Sequence, residues 1–200
     1  MFTYLALGDS YTIGEQVPVK ENFPHQAVRL LQEQHIEVAQ PVIIAVTGWT
    51  TDELANAIRE HNLNETFSFV TLLIGVNNQY RGRSTEDYKP QFTQLLETAI
   101  GYAGGRADRV FVLSIPDWGV TPFAEGCDRA QIAQDIDAYN AANKEITAAY
   151  KSHYVEITDS TRNNGVDKDY LAEDGLHPSG KEYAVWAERL VAAVAKELKP

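Results

Sequence analysis

Five short apolar runs, each followed by a longer amphipathic stretch, constrain this chain more than any other feature. The runs are Thr3–Leu7, Glu37–Val46 (interrupted by Pro41), Phe69–Ile74, Arg109–Ile115 and Tyr154–Thr158. Two of them, "FVTLLI" and "RVFVLSI", are almost continuously hydrophobic, the pattern of strands covered on both faces. The stretches between predict helices over residues 22–34, 51–61, 85–102, 130–150 and 180–198. Thr50 with Glu53, and Ser179 with Glu182, have the spacing of capping boxes at two helix starts. The last segment places Tyr183, Trp186, Ala187, Leu190, Val191, Val194 and Leu198 on one stripe at helical period. Strand and helix in fivefold alternation predict an α/β fold: a three-layer α/β/α sandwich around a five-stranded parallel sheet with right-handed crossovers. No repeat, linker or low-complexity segment divides the 200 residues, so residues 1–200 are expected to form one domain.

The totals narrow the class of partner. A net charge of −11 argues against nucleic acid, whose phosphates need clustered Lys and Arg, and against anionic membrane surfaces. No apolar run approaches the roughly 18 residues that span a bilayer. The start, "MFTYLALGDS", has no basic region followed by an apolar segment and a cleavage site, so a cytoplasmic location is expected. Cys127 is the sole cysteine, which excludes an internal disulfide and a thiolate metal cluster. With only Arg129 nearby as a basic neighbour, it does not read as a catalytic thiol.

In a doubly wound sheet, ligands bind beyond the carboxyl ends of the strands. The segments after the strands are "GDSYTIG" with Ser10, "VTGWTTDEL" with Gly48, "IGVNNQYRG" with Asn77 and Asn78, "PDWGVTPFAEGCD", and a long segment ending in "AEDGLHPSG" with Asp174 and His177. All fall on one sheet edge, and together they have a chemical reason. A serine hydroxyl becomes a nucleophile when a base accepts its proton. His177 is such a base, and Asp174 can fix its tautomer and stabilise the imidazolium. The negative oxygen of an acyl-transfer intermediate needs donors. The N–H groups of Ser10 and Gly48 and the side-chain amide of Asn77 are suitable ones.

Taken singly, each piece has a plain structural reading. "GDSYTIG" suits a tight turn, or a phosphate-holding loop of the flavodoxin kind. Gly48 suits the approach to a helix, and Asn77 and Asn78 suit turns. Capping explains Ser179 and Glu182 but neither Asp174 nor His177. The remaining histidines, His25, His35, His61 and His153, fall within or at the ends of predicted elements and read as structural or surface groups. Asp135 and Asp137, two apart on a helix, do not face each other and read as solvated charge. There is no G-x-S-x-G elbow and no G-x-x-x-x-G-K-[ST] loop, which excludes the α/β-hydrolase nucleophile and P-loop nucleotide hydrolysis.

The ordered blocks resemble the GDSL, or SGNH, hydrolases. "LALGDSYT" resembles the family's first block, "VTGWTTDEL" its second, "IGVNNQYR" its third and "DGLHPSGKEYAVWA" its last, spanning residue 4 to about 186. The resemblance implies a flavodoxin-like sandwich, no metal or organic cofactor, and hydrolysis of a small-molecule ester through an acyl-enzyme. It implies Ser10, Asp174 and His177 as catalytic residues, and Ser10, Gly48 and Asn77 as the oxyanion hole. Family substrates include acetylated sugars, lysophospholipids, thioesters and small aryl esters. Without a long apolar lid, a short-acyl ester, as for a deacetylase, is expected here. A lysophospholipase or thioesterase is the alternative within the family, and a non-catalytic phosphate or flavin binder the alternative outside it. Two positions depart from the pattern: Tyr11 stands where many members have Leu, and Asn78 where an Asp commonly follows. A substrate rim is expected from Trp49, Gln79, Tyr80, Arg81, Trp118 and Phe123, which follow strands two to four.

Overall fold

The computed structural model describes residues 1–199. Five strands, β1 (Tyr4–Gly8), β2 (Val42–Ala45), β3 (Phe69–Leu73), β4 (Val110–Leu113) and β5 (His153–Val155), form one parallel sheet in the order β2-β1-β3-β4-β5. Every residue of β1, β3 and β4 is buried, which is why their sequences run apolar without alternation. The chain leaves β1 towards β2 and then crosses back to β3, so the topological switch lies between β1 and β3.

The long helices are α2 (Phe23–Glu33), α3 (Thr51–His61), α5 (Thr85–Tyr102), α6 (Arg129–Ala149) and α8 (Gly180–Leu198), numbered to leave place for three short ones. Helices α2 and α8 pack together on one side of the sheet, and α3, α5 and α6 pack in a row on the other. The expected α/β/α sandwich is the observed one. The apolar stripe of α8 is buried from Tyr183 to Leu198. Trp186, fully buried, packs against Tyr11, Phe23 and Tyr183.

Four expectations change. The second run does not form one strand. Pro41 has no N–H for the ladder, so pairing starts at Val42, while Val38 makes an isolated bridge to Phe2. The fifth run ends at Val155, and residues expected to extend it open a helix instead. Short helices α1 (Ser10–Ile13), α4 (Val76–Tyr80) and α7 (Thr158–Asn164) occupy segments expected as loops. The capping box at Thr50 forms, its N–H donating to Glu53 Oε2 at 2.8 Å. The one at Ser179 does not. Glu182 turns inward and accepts from Ser160 Oγ (2.6 Å), Trp186 Nε1 (2.8 Å) and Asn164 Nδ2 (2.8 Å), a buried carboxylate joining α7 to α8. No described helix is long and apolar enough to cross a membrane.

Candidate active site

The turn after β1 is built by close packing. A Cβ on Gly8 would lie 2.1 Å from Thr12 Oγ1 and 2.6 Å from the Leu73 carbonyl oxygen, so only glycine lets α1 start there. Asp9 caps α1, its Oδ1 accepting from the Tyr11 N–H at 3.0 Å. Ser10 is thereby the first residue of α1, 4% exposed, at the edge of the sheet.

The Asp174–His177 segment is pinned at both ends. The Ala172 N–H donates to the His177 carbonyl at 2.8 Å, and Leu171 bridges to Pro178. The Phe123 N–H donates to the Gly175 carbonyl at 3.1 Å, tying the segment after β4 to it. Gly175, Pro178 and Gly180 in the sequence suggest a mobile loop; these bonds hold it as a closed turn. His177 Nε2 lies 3.0 Å from Ser10 Oγ, and His177 Nδ1 lies 2.5 Å from Asp174 Oδ2. Asp174 Oδ1 accepts from the amides of Leu176 (3.0 Å) and His177 (2.9 Å). Partial burial opposes ionisation of Asp174, but the imidazole and these two amides outweigh it and hold the carboxyl below its usual range. The Tyr11 ring packs against the His177 ring, centroids 5.1 Å apart.

Gly48 and Asn77 line the same cleft as the imidazole. Gly48 adopts φ +83°, a left-handed conformation that favours glycine, although a Cβ there would meet nothing closer than Arg81 Nη2 at 3.8 Å. Among the described residues, no protein group accepts from the amides of Ser10 or Gly48. Asn77 Nδ2 donates to the Trp49 carbonyl (3.1 Å) and to Asp9 Oδ2 (3.3 Å). Asp9 is fully buried, and burial pushes its carboxyl up to about 7 against the hydrogen bonds from Tyr11 and Asn77. Sequence reasoning gave Asp9 no role, although a carboxylate one residue before a helix start is a capping signal.

Asn78 points away from the cleft. Its Oδ1 accepts from the Thr51 N–H (3.1 Å) and its Nδ2 donates to Thr51 Oγ1 (2.8 Å), while that hydroxyl donates to Gln91. The amide therefore suits this position. With its own hydrogen committed to Gln91, the Thr51 hydroxyl needs a donor, which an aspartate would not supply.

A cleft of about 160 Å³ is lined by Ser10, Gly48, Asn77 and His177 on its polar side, and by Tyr80, Trp118, Phe123 and Leu176 on its apolar side. Of the six expected rim residues, Tyr80, Trp118 and Phe123 line it, as one aromatic cluster with centroids 5.3–6.4 Å apart. The other three do not. Gln79 is buried and accepts from Trp118 Nε1 at 2.8 Å. Trp49 packs against the core. Arg81 donates to the Gly48 carbonyl (2.6 Å) and to Glu53 Oε1 (3.2 Å). The short helix α4 explains the split: positions 76, 77 and 80 share the face towards the cleft, and 78 and 79 the other. Thr47, Val76 and Leu176 line the cleft without having been singled out.

A family profile described as "GDSL-like Lipase/Acylhydrolase family" matches residues 6–185. The chain is 24% identical over 209 residues, 95% of each chain, to "Spore germination lipase LipC" of Bacillus licheniformis. Its structure is similar to that of the lipase Lip_vut3 from a goat rumen metagenome, with TM-score 0.77, 21% identity and complete coverage of both chains. It is similar also to a lipase/acylhydrolase from Enterococcus faecalis, with TM-score 0.74, 22% identity, and coverage of 100% of this chain and 98% of that one.

Proposed function

For a chain that belongs to the GDSL-like lipase/acylhydrolase family, and is with it a hydrolase, we propose hydrolysis of short-acyl esters through an acyl-enzyme formed on Ser10. The observation that carries the reading is the unbroken line Ser10 Oγ–His177–Asp174, at 3.0 Å and 2.5 Å. His177 Nε2 takes the hydroxyl proton as Oγ attacks the ester carbonyl, and then delivers it to the departing alkoxide. Asp174 keeps the other ring nitrogen protonated, and a water activated by the same imidazole then cleaves the acyl-enzyme. The free N–H groups of Ser10 and Gly48 supply donors to the oxyanion. The Asn77 amide supplies another, the charged oxygen drawing its hydrogen from the long contact with Asp9. A cleft of about 160 Å³ suits a small acyl group, being below the ~300–1,000 Å³ of sites for drug-sized ligands. One domain, residues 1–200, carries every part of this machinery.

The purified protein should hydrolyse p-nitrophenyl acetate faster than p-nitrophenyl decanoate, and Ser10→Ala should abolish both. A coloured, flavin-bearing preparation without esterase activity would instead support the non-catalytic binder.

A further inference from the structure

The charges around the cleft bear on which esters reach it. Among the described residues that line the cleft there is no Lys, Arg, Asp or Glu. The cation closest in sequence to the oxyanion donors is Arg81. Its guanidinium is taken by the Gly48 carbonyl and the Glu53 carboxylate, so it serves the loop and not the ligand. The other arginines on the segments around the site are likewise engaged: Arg83 with Asp52, Arg129 with the Gly119 carbonyl, and Arg162 with Asp117 and Asp137. Against these matched cations stands the carboxylate of Glu15, held at the lip through Thr47. Glu15 follows the nucleophile turn, its N–H donating to the Ser10 carbonyl at 3.0 Å. Its side chain accepts from the hydroxyl of Thr47, which lines the cleft beside Gly48. Among the described residues nothing cationic pairs with Glu15; its other side-chain partner is the neutral amide of Gln16. Behind the cleft Asp174 adds negative charge, and the whole chain carries −11.

Resting on the esterase reading, we propose that this site selects esters carrying no negative charge near the scissile bond, with Glu15 as the residue that rejects anionic leaving groups. A carboxylate or phosphate placed beside the scissile ester meets Glu15 and finds no guanidinium or ammonium among the described residues that line the cleft. Rejecting such a group needs no contact, because a unit charge acts across several ångströms of solvent. The substrates selected are therefore acylated neutral alcohols, such as sugars or simple aryl and alkyl alcohols, and not acyl phosphates or acylated polyphosphates.

The test compares methyl 4-acetoxybenzoate with 4-acetoxybenzoate, two acetyl esters of similar shape that differ in one charge. Each kcat/KM is divided by that ester's hydroxide-catalysed rate. The neutral ester should be favoured about tenfold at 10 mM ionic strength, falling to about threefold at 0.5 M as screening shortens the reach of the field. Glu15→Gln should narrow the low-salt ratio about threefold. Equal use of both esters by the parent protein, a ratio insensitive to salt, or a ratio unmoved by Glu15→Gln overturns the inference while leaving a Ser10-dependent esterase in place. Absence of hydrolysis of either ester, or hydrolysis that survives Ser10→Ala, overturns the esterase reading and this inference with it.

Discussion

The two walls of the cleft are built on opposite principles. On the polar wall, Ser10, Gly48 and Asn77 are each held by groups that touch no substrate: Asp9 caps the Ser10 helix, Arg81 grips the Gly48 carbonyl, and Trp49 and Asp9 accept from Asn77. On the aromatic wall, Trp118 is fixed through Gln79, whereas Tyr80 and Phe123 are 56% and 46% exposed and held mainly by ring contacts. Hydrogen bonds set position sharply and ring contacts tolerate displacement. In the proposed esterase, the polar wall is thus preorganised for a developing charge, and the aromatic wall can shift to fit different acyl groups. Damage to the first should lower kcat; damage to the second should raise KM.

The largest break expected is Asn77→Ala. On the proposed mechanism it removes one oxyanion donor and should lower kcat on the order of 10²–10³-fold with little change in KM. Steady-state kinetics on p-nitrophenyl acetate reads this directly, and a pure KM effect would place Asn77 on the binding wall instead. Arg81→Ala acts one step removed, by loosening the Gly48 peptide. It should lower kcat about tenfold, with Arg81→Lys recovering part of the loss, because a lysine reaches the carbonyl without the fork that also engages Glu53. Truncating the aromatic wall with Tyr80→Ala or Phe123→Ala should raise KM about threefold for butyrate esters and less for acetate, at nearly constant kcat.

Asp9 supplies a prediction in stability. Its carboxyl is raised to about 7 when folded, so the folded state binds more protons than the unfolded one between pH ~4 and 7. The stability this group contributes is present below the unfolded pKa and is lost as pH rises through 7. Asp9→Asn removes that loss. Its Tm relative to the parent should therefore climb between pH 4 and 7 by ~3 °C or more, and stay level above pH 7. The cost is functional: one amide cannot both accept from Tyr11 and satisfy the Nδ2 of Asn77 through the same oxygen, so kcat should fall. A Tm difference that is flat with pH would show that Asp9 is not a buried proton-binding group.

How much of this was legible in the sequence follows the same division. The central strands announce themselves because burial on both faces leaves "FVTLLI" a single polar residue, Thr71, whose hydroxyl pairs with that of Tyr4. Edge strand β2, partly exposed and preceded by Pro41, gives no such signal and is shorter than the apolar run that predicts it. Helices α1 and α4 span four and five residues, too few for a period to appear, and hydrogen bonds to neighbouring segments hold their ends. Ser10, Gly48, Asn77, Asp174 and His177 could be placed on one edge because each follows a recognisable element. The direction of a side chain depends on the local turn, which is why Gln79 and Arg81 were expected to face substrate and instead hold Trp118 and Gly48. Glu182 fitted a capping pattern by spacing alone, yet three buried donors claim it.

The account stands on Ser10 being activated by His177. Treating the protein with a fluorophosphonate and mapping the adduct by mass spectrometry tests this most directly. The expected result is a single phosphonyl group on Ser10, with a labelling rate that falls by orders of magnitude in His177→Ala. Labelling at another residue, or at an undiminished rate without the imidazole, would contradict it.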